Sequence, residues 1–496
     1  MPLRPKAPVA ARLKRREDTP PETPLEQSRR SEFGDFQTHL TLARAVLERV
    51  AVRWPSAPAA VLEPTCGVGA FLVAAAEKFP AARLLGYDVD ERHVAAAQTA
   101  LRGCARASVA IADFFEADWG ALAQRLPEPV LLVGNPPWVT NSGLGVIESR
   151  NLPPKARVAG HSGIDSITGK ANFDISEWIL LRLIEAFAGK QAMGAMLIKT
   201  AVARRILVAA EARGLPFYDP AIYRIDAARH FGVAVDACLL CWSSRGTERD
   251  CGVYVGLDAT QPSTTIGVRE GQLVADVAGF AAARAWLGRS ERPWRSGLKH
   301  DCAAVMELAA AGDGYRNGLG EVVRLDEQTI FPLLKSSDLA NGREARKWVI
   351  VPQRAVRQET QGLERSAPLT WRYLARHGAR LDARRSAIYR GQPRFSVFGV
   401  GEYSFRPWKV AISGMYKRGA FALVGPVAGR PVMLDDTCYF LAFDDEQEAR
   451  EAWRALSGER AQKVLAGLVF WEAKRPITKD VLMRLELGRL LAGSEG

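Results

Sequence analysis

No stretch of this 496-residue chain approaches the ~18 to 20 consecutive apolar residues that a membrane-crossing helix needs, so no membrane span is expected. The N-terminus is basic and proline-rich but lacks the apolar core of a signal peptide, which argues against secretion. Cysteine is sparse, with seven at irregular spacing. An odd, scattered set does not make a disulfide framework and fits a reducing compartment. Cys238-Leu239-Leu240-Cys241 has the spacing of a metal or redox pair. It sits in an apolar, strand-like run with no second pair and no histidine cluster nearby, and no metal site is expected. Histidine numbers six. Nothing resembles a nuclease cluster, an internal repeat, or a low-complexity tract beyond the first thirty or so residues.

Positive charge is plentiful. The formal net charge is +12, and residues 341–430 hold eighteen Lys and Arg against five Asp and Glu. Trp348, Trp371, Tyr373, Tyr389, Phe395, Phe398, Tyr403, Phe405, Trp408 and Tyr416 are interleaved with these basic residues. Cations meet phosphates, and flat rings meet exposed bases, so the mixture suits a nucleic-acid partner. A solvated arginine-rich surface over an ordinary core has the same composition.

The chemistry is concentrated earlier. Ala59-Ala60-Val61-Leu62 reads as a short buried strand and Ala70 to Phe79 as a helix, joined by Glu63-Pro64-Thr65-Cys66-Gly67-Val68-Gly69. Strand, glycine turn and helix form a nucleotide-binding unit, because glycine takes positive φ and lets a ligand approach the amides that open the helix. Three further apolar runs follow. Arg83 to Tyr87 ends at Asp88, placed to accept ribose hydroxyls, and Ser108 to Ala112 ends at Asp113-Phe114, an acceptor beside a ring. Val130 to Gly134 ends at Asn135-Pro136-Pro137-Trp138. In an open parallel sheet, ligands bind beyond the carboxyl ends of strands, so these four ends converge on one crevice. Asp88 or Asp113 taken singly also reads as a helix N-cap.

The last motif has its own logic. Two prolines stiffen the loop and remove two amide donors. The Asn135 amide oxygen and the Pro136 carbonyl can then accept both hydrogens of one NH2 group, drawing a conjugated amine toward tetrahedral geometry and baring its lone pair. Trp138 offers a face on which the amine-bearing ring can stack.

With these motifs the chain resembles the S-adenosyl-L-methionine-dependent amino-methyltransferases, specifically the γ-type N6-adenine DNA methyltransferases of restriction-modification systems. The resemblance implies a Rossmann-like α/β domain with a mostly parallel seven-stranded sheet and a C-terminal α+β target-recognition domain. It implies that Glu63, Thr65, Cys66, Gly67 and Gly69 form the turn around the methionine part of the cofactor. Asp88 would hold the ribose, and Asp113 and Phe114 the adenine. Asn135, Pro136, Pro137 and Trp138 would be the catalytic loop. Phe33 to Thr38 is similar to the family's leading motif, with Thr38 against the cofactor and His39 where the family has proline. Asn172 to Trp178 is similar to the segment that closes one wall of the pocket. Phe231 is similar to a second aromatic beside the target base. Cys66 is expected to be a packing residue.

The expected organisation is a basic arm over 1–30, the methyltransferase domain over 31–262 and the DNA-recognition domain over 263–496. A helix is expected from Leu40 to Val52, a long polar loop from Val139 to Ala171, a fifth strand from Met193 to Lys199, and a closing hairpin made by Ile222 to Ile225 and Ala234 to Trp242. Phe331 to Leu339 resembles part of the family's specificity domain, with short strands over 395–440 and helices from Glu446 onward. Implied partners are double-stranded DNA and a separate restriction endonuclease, in the cytoplasm of a bacterial or archaeal cell. An RNA methyltransferase, a glutamine methyltransferase and a non-catalytic DNA-binding defence subunit are alternative readings.

Overall fold

The computed structural model describes residues 37–139 and 174–492. The arm over 1–30, Phe33 to Phe36 and nearly all of the loop expected over 139–171 lie outside those residues, as do Asn172 and Phe173. Two compact units divide the chain: one runs to Thr264 and includes Glu270–Gln272, and the other comprises Thr265–Arg269 and the chain from Leu273 onward.

In the first unit, strands and helices alternate: α1 (Leu40–Arg53), β1 (Ala60–Glu63), α2 (Ala70–Lys78), β2 (Arg83–Asp88), α3 (Glu91–Ala100), β3 (Ala107–Ile111), α4 (Trp119–Arg125) and β4 (Val130–Gly134). After the undescribed segment come α5 (Ile175–Ala186), β5 (Ala192–Lys199), α6 (Thr200–Ala212), β6 (Tyr218–Ile225), α7 (Ala227–Phe231), β7 (Ala237–Ser243) and β8 (Cys251–Tyr254). Hydrogen bonding orders the strands β3-β2-β1-β4-β5-β7-β6, followed by β8 beside β6. The pairs from β3 to β5 are parallel, and β7 runs antiparallel to both β5 and β6. This is the mostly parallel, Rossmann-like sheet the motifs imply, with β8 added in parallel beside β6.

The sequence explains these choices. Every residue of β1 and β4 is buried, which is why they read as unbroken apolar runs rather than as alternation. β3 alternates poorly because it ends the sheet. In α1, Leu42, Ala43, Val46, Leu47 and Val50 make one buried stripe that joins the main core. Gly194 in β5 lies opposite Trp242 of β7, and a Cβ there would run into the indole. The strand order reverses between β1 and β4, and a crevice is expected at such a switch point.

The second unit is α+β. The strands β9 (Thr264–Arg269) and β10 (Gln272–Val274) lie where the chain divides. One sheet, ordered β14-β13-β12-β16-β15-β19, uses β12 (Glu307–Ala311), β13 (Gly314–Asn317), β14 (Val322–Val323), β15 (Ile330–Leu334), β16 (Lys347–Ile350) and β19 (Met433–Leu434). A second sheet, ordered β11-β20-β17-β18, uses β11 (Arg295–Ser296), β17 (Trp408–Ser413), β18 (Phe421–Val424) and β20 (Cys438–Phe443). Helices Glu446–Ser457 and Glu459–Leu468 share a core with β17 and β20.

Two expectations change here. The short strands expected from 395 begin only at Trp408, because Phe395 to Val400 is irregular chain with a single bridge from Phe398 to Lys299. The aromatics of the basic window are all buried or half-buried, with Phe395 and Tyr373 in the core. Arginines cover several of them: Arg384 lies 3.7 Å from the Tyr389 ring centre, Arg354 4.4 Å from Phe405 and Arg394 4.8 Å from Phe395. Rings that bury well are drawn inward while guanidinium groups reach solvent across them. The surface of this window is therefore basic, and its rings are not displayed for stacking.

Candidate active site

The glycine turn links β1 to α2. The Cys66 amide donates to the Tyr87 carbonyl at 2.7 Å, and the Gly69 amide returns to the Cys66 carbonyl at 2.8 Å. Gly67 and Gly69 have φ of +51° and +84°, which any other residue adopts only with strain. A Cβ on Gly69 would lie 2.9 Å from that of Ala97. The thiol of Cys66 is buried and its pKa pushed up by that burial and by Glu63 and Asp88, as suits a packing residue.

Asp88, at the end of β2, accepts the Gly67 amide at 2.8 Å on one oxygen and the Asp90 amide at 2.9 Å on the other. It is not a helix cap. That task falls to Asp90, which accepts the Arg92 amide at 2.8 Å and opens α3. Glu63, at the end of β1, is 3% exposed, and its Oε2 has no hydrogen-bond partner among the described residues. Burial, and then the charge of Asp88, hold its carboxyl well above the usual carboxylate range, against a backbone hydrogen bond from Leu72. Thr65 Oγ1 likewise lacks a partner among the described residues.

Asp113 accepts the Phe115 amide at 2.8 Å, forming an Asx turn after β3. Phe114 faces the core instead of a crevice. It is 6% exposed, its ring lies 4.7 Å from Trp119, and its carbonyl takes the Trp119 indole N–H at 2.9 Å. The half-buried rings here are Phe115 and Trp178, 4.9 Å apart. Residue type alone does not tell which of two adjacent phenylalanines turns inward. Val68, Val89 and Ile111 are exposed in the loops and strand end just beyond β1, β2 and β3.

At the end of β4, the Asn135 amide nitrogen donates to Thr38 Oγ1 at 3.3 Å. Thr38 is thus drawn to the loop motif, although His39 follows it. Trp138 and Phe231 meet edge to face, with ring centres 5.1 Å apart and an interplanar angle of 72°. Phe231 ends α7, which Asp226 caps and Gly232 terminates at φ +71°. Trp138 is only 5% exposed and Phe231 7%. The indole is therefore wedged into the core, not an open platform. Its N–H donates to the Leu197 carbonyl at 3.2 Å.

Lys199 lies in no sequence motif, and Asp174 lies within the segment Asn172 to Trp178 that resembles the family's pocket wall, with no role of its own implied there. Lys199 Nζ donates to the Trp138 carbonyl at 2.7 Å and to Asp174 Oδ2 at 2.9 Å. The one signal in the sequence is a charge closing the apolar run of β5. Because β1 pairs with β4, the group Thr38, Asn135, Trp138 and Phe231 adjoins the group Glu63 to Gly69 and Asp88.

Cys238 and Cys241 do not form a joint site. Residues three apart on a strand point to opposite faces, and burial pushes both thiols up to about 12.

The residues suit the cofactor the motifs imply. Buried Glu63 beside Asp88 calls for a cationic partner, which an ammonium or sulfonium provides, while exposed Val68, Val89 and Ile111 offer apolar surface for a purine ring.

Comparison with known proteins agrees. No protein-family model matches the chain. A type II methyltransferase, M.NspV of Nostoc sp., is 39% identical over 465 residues, covering 92% of this chain and 96% of that protein. The solved structure of the type IIL restriction-modification enzyme MmeI in complex with DNA superposes with a TM-score of 0.54 at 12% identity, covering 90% of this chain and 65% of that one. At that identity it speaks for a shared fold.

Proposed function

Because the chain belongs to the type II methyltransferases, the DNA-modifying enzymes of restriction-modification systems, we propose that it methylates N6 of an adenine flipped out of double-stranded DNA. The observation that carries this reading is the position of Asn135 and Pro136. They close β4 directly beside Glu63 at the end of β1, where the strand order reverses.

S-adenosyl-L-methionine supplies an electrophilic methyl on a cationic sulfur. Glu63 and the turn through Gly69 would hold its charged end, Asp88 its ribose, and Asp113 with Val89 and Ile111 its adenine. The Thr38 hydroxyl takes the Asn135 amide nitrogen, which orients the amide oxygen as acceptor for the target amine. That oxygen and the Pro136 carbonyl align the N6 lone pair with the methyl. With the methyl supplied by the bound cofactor, N6 would release one proton to solvent. Trp138 and Phe231, packed edge to face in the core, back the loop that carries these acceptors. The second unit reads the target sequence, and its exposed arginines neutralise phosphates.

Long-read modification mapping of DNA from a methylation-deficient bacterial host expressing the chain tests the proposal. N6-methyladenine at one short motif is expected. Asn135→Ala should lower transfer by about a hundredfold or more while leaving the fold intact. Methylation of cytosine, or an unaffected Asn135→Ala variant, would overturn it.

A further inference from the structure

We propose that Lys199 is a positioning residue for the Asn135–Trp138 loop. By clamping the Trp138 carbonyl to the buried carboxylate of Asp174, its ammonium holds the acceptors of that loop in the geometry the reaction needs. The inference rests on the function proposed above.

The loop is poor in ties of its own, since Pro136 and Pro137 have no amide hydrogen to donate. Trp138 is instead fastened at two points to one strand. Its indole N–H reaches the Leu197 carbonyl at 3.2 Å, and its carbonyl receives Lys199 Nζ at 2.7 Å. β5 is a central strand, paired on one side with β4 and on the other with β7, so these anchors sit on a rigid element. The lysine is fixed in turn. Asp174 is 4% exposed and takes Lys199 Nζ at 2.9 Å on Oδ2, while its Oδ1 accepts the Ser176 hydroxyl at 2.6 Å and the Ser176 amide at 3.2 Å. Asp174 also caps α5, and the next amide, Ile175, donates to the Val139 carbonyl at 3.0 Å. The chain leaving the loop at Val139 and the chain returning at Asp174 are thus tied together beside Trp138, with Lys199 as the cross-link. A charge-assisted pair at these distances, with Asp174 buried and Lys199 half-buried, orients its members more strongly than a neutral contact. The acceptors Asn135 and Pro136 precede Trp138 by three and two residues, so a released Trp138 carbonyl would let them drift relative to β4.

The test uses the full chain. Lys199→Met alone would strand the Asp174 carboxylate and could unfold the protein, so the decisive variant is Lys199→Met combined with Asp174→Asn, which removes both charges. Lys199→Arg serves as the conservative control. Methyl transfer is followed with tritiated S-adenosylmethionine on DNA from a methylation-deficient host, together with thermal melting, cofactor affinity, and hydrogen exchange of the peptide spanning Trp138 and Val139. We expect the double variant to keep the parental melting temperature and cofactor affinity. Its kcat should fall by about 10- to 100-fold with little change in KM for DNA, and Trp138–Val139 should exchange faster. Lys199→Arg should recover most of the activity. A folded double variant with parental kcat, or with unchanged exchange at Trp138–Val139, would overturn the proposal. Should the parent transfer no methyl group to DNA, the function proposed above fails, and the exchange measurement alone still decides what Lys199 does.

Discussion

In the function proposed above, Glu63 would serve cofactor binding at a cost to the stability of the cofactor-free protein. Its carboxyl is buried beside Asp88 and held above the usual range, so the native state retains a proton that the unfolded chain has already lost. Stability of the cofactor-free protein should therefore fall as pH rises from the ordinary carboxylate value of 4.5 through the raised native one. A cation in the crevice favours the ionised form, so cofactor affinity should rise with pH over the same interval and binding should release a proton. Titration calorimetry in two buffers of different ionisation heat measures this directly. Glu63→Gln should abolish the proton release and weaken binding by roughly 10- to 100-fold, the scale of one hydrogen bond to a charged group. It should not lower the melting temperature of the cofactor-free protein at neutral pH. Affinity that stays flat with pH in the parent would refute this account of Glu63.

At the scale of elements, the loop motifs work because the strands beneath them are rigid. β5 is the clearest case, carrying the two anchors of Trp138 while accommodating the Trp242 indole over Gly194. Gly194→Val would push a branched side chain into that ring. A loss of about 1 to 3 kcal/mol is expected from the overpacking, seen as a lower denaturation midpoint with unchanged slope. Parental stability in this variant would mean that Trp242 can move aside at no cost. β3 makes the contrasting case: at the edge of the sheet, with only Val109 buried, it tolerates polar and small residues that β4 does not.

For the whole molecule, electrostatics sets the expectation. The chain carries a formal +12, and the basic window 341–430 falls within the second unit, where most of its arginines are exposed and its rings are buried or half-buried. Affinity for DNA should then come largely from phosphate contacts. Each contact contributes about −0.9 to the slope of log K against log salt, so raising KCl from ~50 to ~200 mM should cost roughly a thousandfold or more if six or more contacts form. Fluorescence anisotropy with a short duplex measures the slope. A salt-independent affinity would exclude the basic surface as the DNA-binding element.

The amino-acid sequence by itself determined much of the first unit, because the signals there are local. An apolar run, a glycine turn and a polar group at a strand end are neighbours in sequence and remain neighbours in space, so Glu63, Asp88, Asp113 and Asn135 stand out along the chain. The mostly parallel seven-stranded sheet follows from the family these motifs resemble. Other features depend on contacts between distant segments. Only the tertiary structure decided that Phe231 meets Trp138, that Thr38 reaches Asn135, and that Lys199 and Asp174 close around the loop. It also decided direction. Phe114 turns inward while Phe115 does not, Trp138 is wedged rather than displayed, and Tyr373 and Phe395 of the basic window enter the core. Residue type sets what a side chain gains by burial, but which ring receives it depends on the space the neighbouring elements leave, and no local pattern encodes that space.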